Sequence, residues 1–134
     1  MNENSDRIIQ CDTEKSGQLD GLHSRLAEHI NAQNRLRSDY VNHVDFGEAS
    51  WDIMLDLFAS EYFNRSTSVP ALAARVTISE ALCNRYINYL LDQEKIHANR
   101  NPQTMAVRPF LVADATKEGI KAWLDNCIHN ALQI

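Results

Sequence analysis

The sequence predicts a mainly α-helical fold in which a helix–turn–helix is followed by a small β-hairpin, the arrangement of a winged helix, with long helices at both ends. Two observations lead to this prediction. Between Ser68 and Ile96, apolar residues recur at intervals of three and four, first over a short segment and then over a longer one. A polar stretch containing Pro102 then leads into the short apolar run Arg108–Val112, which is typical of a strand.

Two helices are predicted before the helix–turn–helix. The first runs from Leu19 to about Tyr40 with an imperfect apolar stripe, and a turn-prone stretch of Asn, His, Asp and Gly follows at 42–47. The second runs from roughly Glu48 to Tyr62. Its predicted buried face consists of large side chains, each contributing about 1.5–3 kcal/mol on burial; they are Trp51, Leu55, Phe58 and Tyr62, with Met54 beside them.

The helix–turn–helix itself has clear start signals. Ser68 is a good N-cap for a short helix with Pro70 in its first turn. A second helix is predicted from Thr77 to Leu91, with Glu80 at the position that a capping box requires. The apolar stripe of this second helix consists of Cys83, Ile87 and Leu90, and the opposite face carries Thr77, Ala81, Asn84, Arg85 and Asn88.

The hairpin and the last helix complete the predicted domain. Ile96–Ala98 is predicted to pair with Arg108–Val112 around a mobile loop, and Pro109 confines the second strand to a sheet edge. Thr116 is predicted to cap a final helix from Lys117 to about Leu132. The polar residues 1–17 are predicted to be a flexible tail, or a partly ordered leader to the first helix, and residues 18–134 to form one domain.

Composition argues against several classes of protein. The sequence has no charged start followed by an apolar run and no long apolar segment, so we expect neither a signal peptide nor a membrane span. Its three cysteines are widely spaced, which predicts no disulfide framework and no zinc site. We expect a reducing, cytoplasmic setting, no metal and no cofactor. The sequence contains no Gly-rich phosphate loop, nucleophile elbow or HExxH motif, so an enzyme is not predicted.

Charge is distributed unevenly along the chain. The formal net charge is −5, which argues against indiscriminate nucleic-acid binding. Between Tyr62 and Val112, however, six basic residues stand against three acidic ones. A cationic face on an acidic body can bind phosphates while the body repels other polyanions. Chance scatter of surface charge explains the same numbers equally well.

With these motifs in place, the chain resembles the MarR-type (multiple-antibiotic-resistance) winged-helix transcription regulators. The segments that carry the resemblance are FGEASWDIMLDLF, SVPALAARVTISEALCNRYINYLLDQEKI and FLVADATKEG, at 46–58, 68–96 and 110–119. The resemblance implies a homodimer on a short inverted repeat of double-stranded DNA, with the recognition helix Thr77–Leu91 in the major groove and the wing His97–Phe110 at the minor groove. It also implies a small-molecule effector held between the dimer helices and the DNA-binding lobe.

The sequence departs from the family pattern at two places. The turn before the first wing strand usually contains a Gly, and here it reads Glu94-Lys95. The family's wing usually carries an acid–base cluster, whereas the wing here reads NRNPQTMAVR with Arg100 and Arg108 as its bases.

The residues predicted to contact DNA lie on the second helix of the motif and on the wing; they are Thr77, Ser79, Asn84, Arg85, Asn88, Arg100 and Arg108. Asn suits adenine edges, Arg suits guanine or phosphate, and residues at a helix start suit phosphate. The alternative interpretation of the helix residues is a solvated face, and that of the two wing arginines is ordinary surface charge. Two other function classes stay open: a winged-helix protein–protein adaptor that does not bind DNA, and a redox or ligand sensor using Cys11.

Overall fold

In the computed structural model of the chain, the described backbone covers residues 3–41 and 47–131, and side chains are described at 19, 21–41 and 47–131. Those residues form five helices, α1 Glu3–Tyr40, α2 Glu48–Phe63, α3 Val69–Val76, α4 Glu80–Asp92 and α5 Asp114–Ala131. The strands β1 Ile96–Ala98 and β2 Phe110–Val112 form one two-stranded sheet. The prediction of a mainly helical chain with a small antiparallel hairpin is therefore confirmed.

The chain divides into two compact units. The larger unit spans Arg37–Leu124 and contains α2, α3, α4 and the hairpin. The smaller unit combines the described residues up to Leu36 with those from Asp125 onward. Within the smaller unit, Asn126 Nδ2 donates to Gln33 Oε1 at 2.8 Å, which joins the end of α5 to α1.

The core of the larger unit is built around α2, which contacts α3, α4 and β2. The side chains buried on α2 are Trp51, Ile53, Met54 and Leu57. The predicted buried face was wrong in part, because Leu55 and Phe58 are only half-buried and Tyr62 is exposed. The reason is that apolar residues occupy most sides of this helix, so their spacing does not select one face.

The boundary between α3 and α4 differs from the prediction. Ser68 caps α3 as expected, since its hydroxyl accepts from Ala71 N. Thr77, predicted to begin the second helix, instead ends α3 with a left-handed backbone (φ 62°), and its N–H donates to Ala73 O. The N-cap of α4 is Ser79, whose hydroxyl accepts from Leu82 N at 3.1 Å. The helix thus begins three residues later, at Glu80.

The hairpin pairs as predicted, but its loop is held in place. Ile96 faces Val112 and Ala98 faces Phe110 in the antiparallel register. Arg108 and Pro109 lie outside β2, contrary to the predicted strand start. The loop was expected to be mobile. Its backbone instead folds into hydrogen-bonded turns, among them Met105 N to Asn101 O at 2.9 Å, so the expectation was wrong.

Both terminal helices begin earlier than the sequence predicts. α1 begins at Glu3, so the helix includes residues 3–17, and Gly17 does not interrupt it. α5 begins at Asp114, and Thr116, the predicted cap, is buried inside its first turn. Lys117 N already donates to Ala113 O at 2.8 Å, and the Asp114 carboxylate suits the positive end of the helix. The predicted last residue, Leu132, lies outside the described residues.

Tight packing joins α1, α2 and α5 inside the larger unit. The rings of Trp51 and Trp123 meet edge to face, with centroids 5.0 Å apart, and the Arg37 guanidinium lies 5.1 Å from the Trp51 centroid. A Cβ added at Gly119 would lie 2.3 Å from Tyr40 O, so only glycine allows this approach of α5 to α1.

The described residues contain neither a membrane span nor a cluster of metal ligands. None of the helices there combines the length and the hydropathy that a bilayer-spanning segment needs. In the same part of the chain, no three His, Cys, Asp or Glu side chains are grouped so that they could bind a metal ion.

Candidate nucleic-acid interface

Helix α4 has one buried face and one exposed polar face. Cys83, Ile87 and Leu90 are almost fully buried in the core. About 100° of rotation separates successive residues of a helix, so the opposite side carries the residues predicted to read DNA. Of the predicted residues on this side, Asn84, Arg85 and Asn88 are exposed, and Ala81 beside them is exposed as well. Two amide side chains and one guanidinium therefore face solvent along about one turn of α4.

Thr77 and Ser79 lie in the turn between α3 and α4 rather than on α4 itself. Both residues are exposed. The Ser79 hydroxyl already accepts from Leu82 N, so its remaining capacity is to donate its proton outward. The exposed N-terminus of α4 leaves backbone N–H groups next to Ser79, where an anion is favoured.

The position of α3 is set by an ion pair beneath the turn. Arg75 Nη2 lies 2.8 Å from Asp56 Oδ1, and Arg75 Nε lies 2.9 Å from Asp56 Oδ2, which makes a two-bond fork. Arg75 Nη2 also donates to Ser66 O at 2.7 Å. The hydrogen bonds to Asp56 raise the pKa of Arg75. Arg75 is thus neutralised inside the fold, and the cationic segment has one base fewer at its surface than the sequence suggests.

The loop between β1 and β2 is organised by the buried side chain of Asn99. Its Nδ2 donates to Thr104 Oγ1 and to Arg108 O, both at 2.9 Å. Its Oδ1 accepts from Asn101 N at 3.0 Å. This set of bonds fixes the loop that carries Arg100, which is exposed.

The two wing arginines have different environments. Arg100 is exposed on the loop, whereas Arg108 is half-buried at its base. Arg108 Nη1 donates to Asn64 Oδ1 at the end of α2, and its Nε has no hydrogen-bond partner among the described residues. Thr67 N donates to Val107 O at 2.9 Å, so the base of the loop also contacts the link between α2 and α3.

One feature beside α4 was not predicted from the sequence. A cleft of about 230 Å³ lies between the start of α2 and one flank of α4. Its lining residues are Gly47, Ser50, Leu82, Arg85, Tyr86 and Tyr89. The only local signal for it was a glycine directly before a helix, which is too common to single out. Arg85 is shared by the cleft and by the exposed polar face of α4.

A second, more apolar groove of about 630 Å³ lies between the end of α2 and α5. Leu55, Phe58 and Leu124 line it, and Lys117 and Glu61 form an ion pair at its edge with an N–O distance of 2.9 Å. Two aromatic side chains beside it are strongly exposed: Tyr62 at 86% and Phe63 at 64%.

The two described cysteines are poor candidates for a redox switch. Cys83 is fully buried, as predicted, and burial raises the pKa of its thiol. Cys127 is half-buried, its Sγ lies 3.7 Å from Gln33 Oε1, and burial raises its pKa too. A raised pKa lowers the thiolate fraction, which is the reactive form. The side chain of Cys11 lies outside the described part of the chain.

Comparisons with protein-family models, with curated proteins and with solved structures found no match for this chain.

Proposed function

We propose that this chain is a sequence-specific DNA-binding transcription regulator of the MarR type that acts as a homodimer. The observation that carries the proposal is the outward face of α4, where Asn84, Arg85 and Asn88 are exposed while Cys83 and Ile87 fix the opposite side in the core. α4 follows α3 through a short turn and precedes a hairpin. A helix held in this way can lie in a major groove with its polar side chains at the base edges.

The predicted contact residues would have distinct roles on a duplex. Asn84 and Asn88 suit adenine edges, and Arg85 suits guanine or phosphate. Thr77 and Ser79 suit phosphates next to the start of α4. Arg100, exposed on the hydrogen-bonded loop, would contact the minor groove, whereas Arg108 would support the loop through its bond to Asn64.

A homodimer is supported by an unpartnered apolar stripe on α1. Its members recur every three or four residues and are all largely exposed; they are Leu19, Leu22, Leu26 and Ile30. Such a stripe is the pattern by which two helices pack against each other. A two-fold dimer would present two copies of α4, which is what an inverted repeat requires.

The apolar groove beside α5 is our candidate for the effector site. The groove between α2 and α5 has the volume of a small-molecule site and a mainly apolar lining with two lysines, Lys117 and Lys121. We place the effector there. The test is thermal denaturation with candidate small acids, in which a binding acid raises Tm and a lining substitution such as Leu55→Ala removes the effect.

The function is tested by selecting bound duplexes from a random pool at a fixed salt concentration. The proposal expects enrichment of an inverted repeat whose half-sites lie about one helical turn apart. Affinity for the selected duplex should then fall with salt with a log–log slope of about −7, if each protomer contacts about four phosphates. No enrichment, together with a slope near zero on every duplex, would contradict the proposal.

The exposed pair Tyr62 and Phe63 favours a second candidate, a protein–protein adaptor. Aromatic side chains are enriched at protein interfaces, and the net charge of −5 does not favour DNA. The selection experiment distinguishes the two candidate functions, because an adaptor enriches no duplex. Partner binding by an adaptor is also expected to be unchanged in Arg85→Ala.

A further inference from the structure

The cleft between the start of α2 and α4 contains an unsatisfied buried hydroxyl. Ser50 is 1% exposed, and its Oγ has no hydrogen-bond partner among the described residues. A buried polar group without a partner destabilises the fold, because it has lost its hydrogen bonds to water and gained none in return. Ser50 lines the cleft, so a group that enters the cleft can supply the missing partner.

The start of α2 adds further donors at the same place. α2 has 16 residues, and its N-cap Gly47 offers no side chain to bond the first N–H groups. Those groups have no partner within the helix itself, and they lie at its positive end. A Cβ at Gly47 would lie 3.8 Å from Tyr86 Oη, which places the tyrosine hydroxyl beside the helix start. Arg85 contributes a positive charge to the lining of the cleft.

Two acidic residues of α2 do not cancel this arrangement. Glu48 and Asp52 are exposed, and neither lines the cleft. At about 100° per residue they lie on roughly the opposite side of the helix from Ser50. The acidic side chains of the first turn therefore do not block an anion from the side of α2 that carries Ser50.

We propose that this cleft binds a backbone phosphate of the DNA duplex, held by the first N–H groups of α2, Ser50 Oγ, Tyr86 Oη and Arg85. The proposal rests on the proposed function. A recognition helix that faces base edges has the sugar–phosphate walls of the major groove along its flanks. Arg85 lies at the boundary between the outward face of α4 and the flank that lines the cleft. The cleft thus lies where one wall of the groove would pass.

The experiment uses the full chain and a duplex selected by the wild type from a random pool. Ser50→Ala removes the hydroxyl without unfolding the chain, since the lost group has no hydrogen-bond partner in the described part of the chain. It is expected to raise Tm and to weaken duplex binding about tenfold, as for a hydrogen bond to a charged group. The control Ser60→Ala removes a buried hydroxyl on the same helix that donates to Asp56. It should lower Tm and leave duplex affinity unchanged.

A second pair of variants tests the charge of the ligand. Gly47→Asp and Gly47→Asn both cap α2 and have almost the same shape, because φ at Gly47 is −62° and accepts either residue. Gly47→Asp is expected to weaken duplex binding at least tenfold more than Gly47→Asn, since only Asp repels phosphate. Equal effects of the two variants would overturn the proposal.

The contact is located by replacing one phosphate at a time with an uncharged methylphosphonate. At one position per half-site, the replacement should weaken duplex binding by the wild type about tenfold. It should weaken binding by Ser50→Ala by a much smaller factor, because that variant has already lost the interaction with this phosphate. If every methylphosphonate weakens both proteins equally, the cleft does not bind phosphate, although the chain still binds DNA. If the wild type selects no duplex, the proposed function fails and this inference with it.

Discussion

Single residues with a left-handed backbone follow three of the helices, α2, α3 and α4. The non-glycine residues with a left-handed backbone in the described chain are Asn64, Thr77 and Glu94. Asn adopts this conformation readily, whereas Thr and Glu do so at a cost of about 1 kcal/mol or more. Glu94 stands in the turn before β1, with φ at 60°. This is the left-handed conformation that glycine adopts most easily.

Replacing Glu94 by Gly is therefore expected to stabilise the fold. The strain at φ 60° is removed, and we expect the free energy of unfolding to rise by about 1 kcal/mol in urea denaturation. The control is Glu118→Gly, an exposed position inside α5, which should lower it by about 1 kcal/mol. Destabilisation by both substitutions would show that Glu94 is not strained.

Burial of Cys83 has a consequence for alkylation and pH. Because desolvation raises its pKa above the ordinary 9.0, Cys83 should react with iodoacetamide far more slowly in the native chain than after unfolding. The folded state also holds the thiol proton more tightly than the unfolded state. Stability should therefore fall as pH rises above about 9. Mass spectrometry of alkylated peptides gives the rate, and rapid native labelling of Cys83 would contradict its placement.

At the scale of elements, local signals predicted some features and missed others. The start of α3 was predictable from its neighbours in sequence, because Ser68 caps the helix and Pro70 suits its first turn. The buried face of α4 was predictable from the spacing of Cys83, Ile87 and Leu90. The start of α4 was missed because Thr77 fits a cap by composition, whereas the chain uses it to close α3. The face of α2 and the cleft at its start depend on contacts with distant elements, and no local pattern encodes them.

The hairpin loop shows how one side chain holds an element. Asn99→Ala removes two donated bonds and one accepted bond, and we expect the free energy of unfolding to fall by about 2 kcal/mol. Duplex affinity should fall too, because Arg100 is then no longer fixed. Asn101→Ala is the matched control: its exposed side chain accepts one bond, from Gln103 N, and its loss should cost about 0.5 kcal/mol. If the two substitutions lowered the free energy of unfolding equally, Asn99 would not be the residue that holds the loop.

For the whole molecule, the proposed dimer depends on the apolar stripe of α1. Leu26 lies in the middle of that stripe and is largely exposed, so Leu26→Glu should place a charge in the helix–helix contact. Sedimentation velocity at micromolar concentration is expected to show a dimer for the wild type and a monomer for this variant. Glu28→Gln, an exposed change outside the stripe, should leave the dimer intact. A monomeric wild type would contradict the assembly.

The sequence predicts the overall distribution of charge, but it does not predict which basic side chains are paired inside the fold. The sequence shows a cationic segment within an acidic chain, but it does not show that Arg75 is neutralised by Asp56 or that Arg108 bonds Asn64. Arg85 and Arg100 remain as exposed bases of the proposed interface. The proposed function therefore expects specific contacts to contribute more to duplex binding than total charge.

The most direct test compares Arg85→Ala with Arg35→Ala on the selected duplex. Both remove one exposed positive charge, but only Arg85 lies on the outward face of α4. Fluorescence anisotropy should show a loss of about 1–3 kcal/mol of binding free energy for Arg85→Ala, almost none for Arg35→Ala, and unchanged Tm for both. Equal affinity of the two variants, or no duplex binding by the wild type, would contradict the central claim that α4 reads DNA.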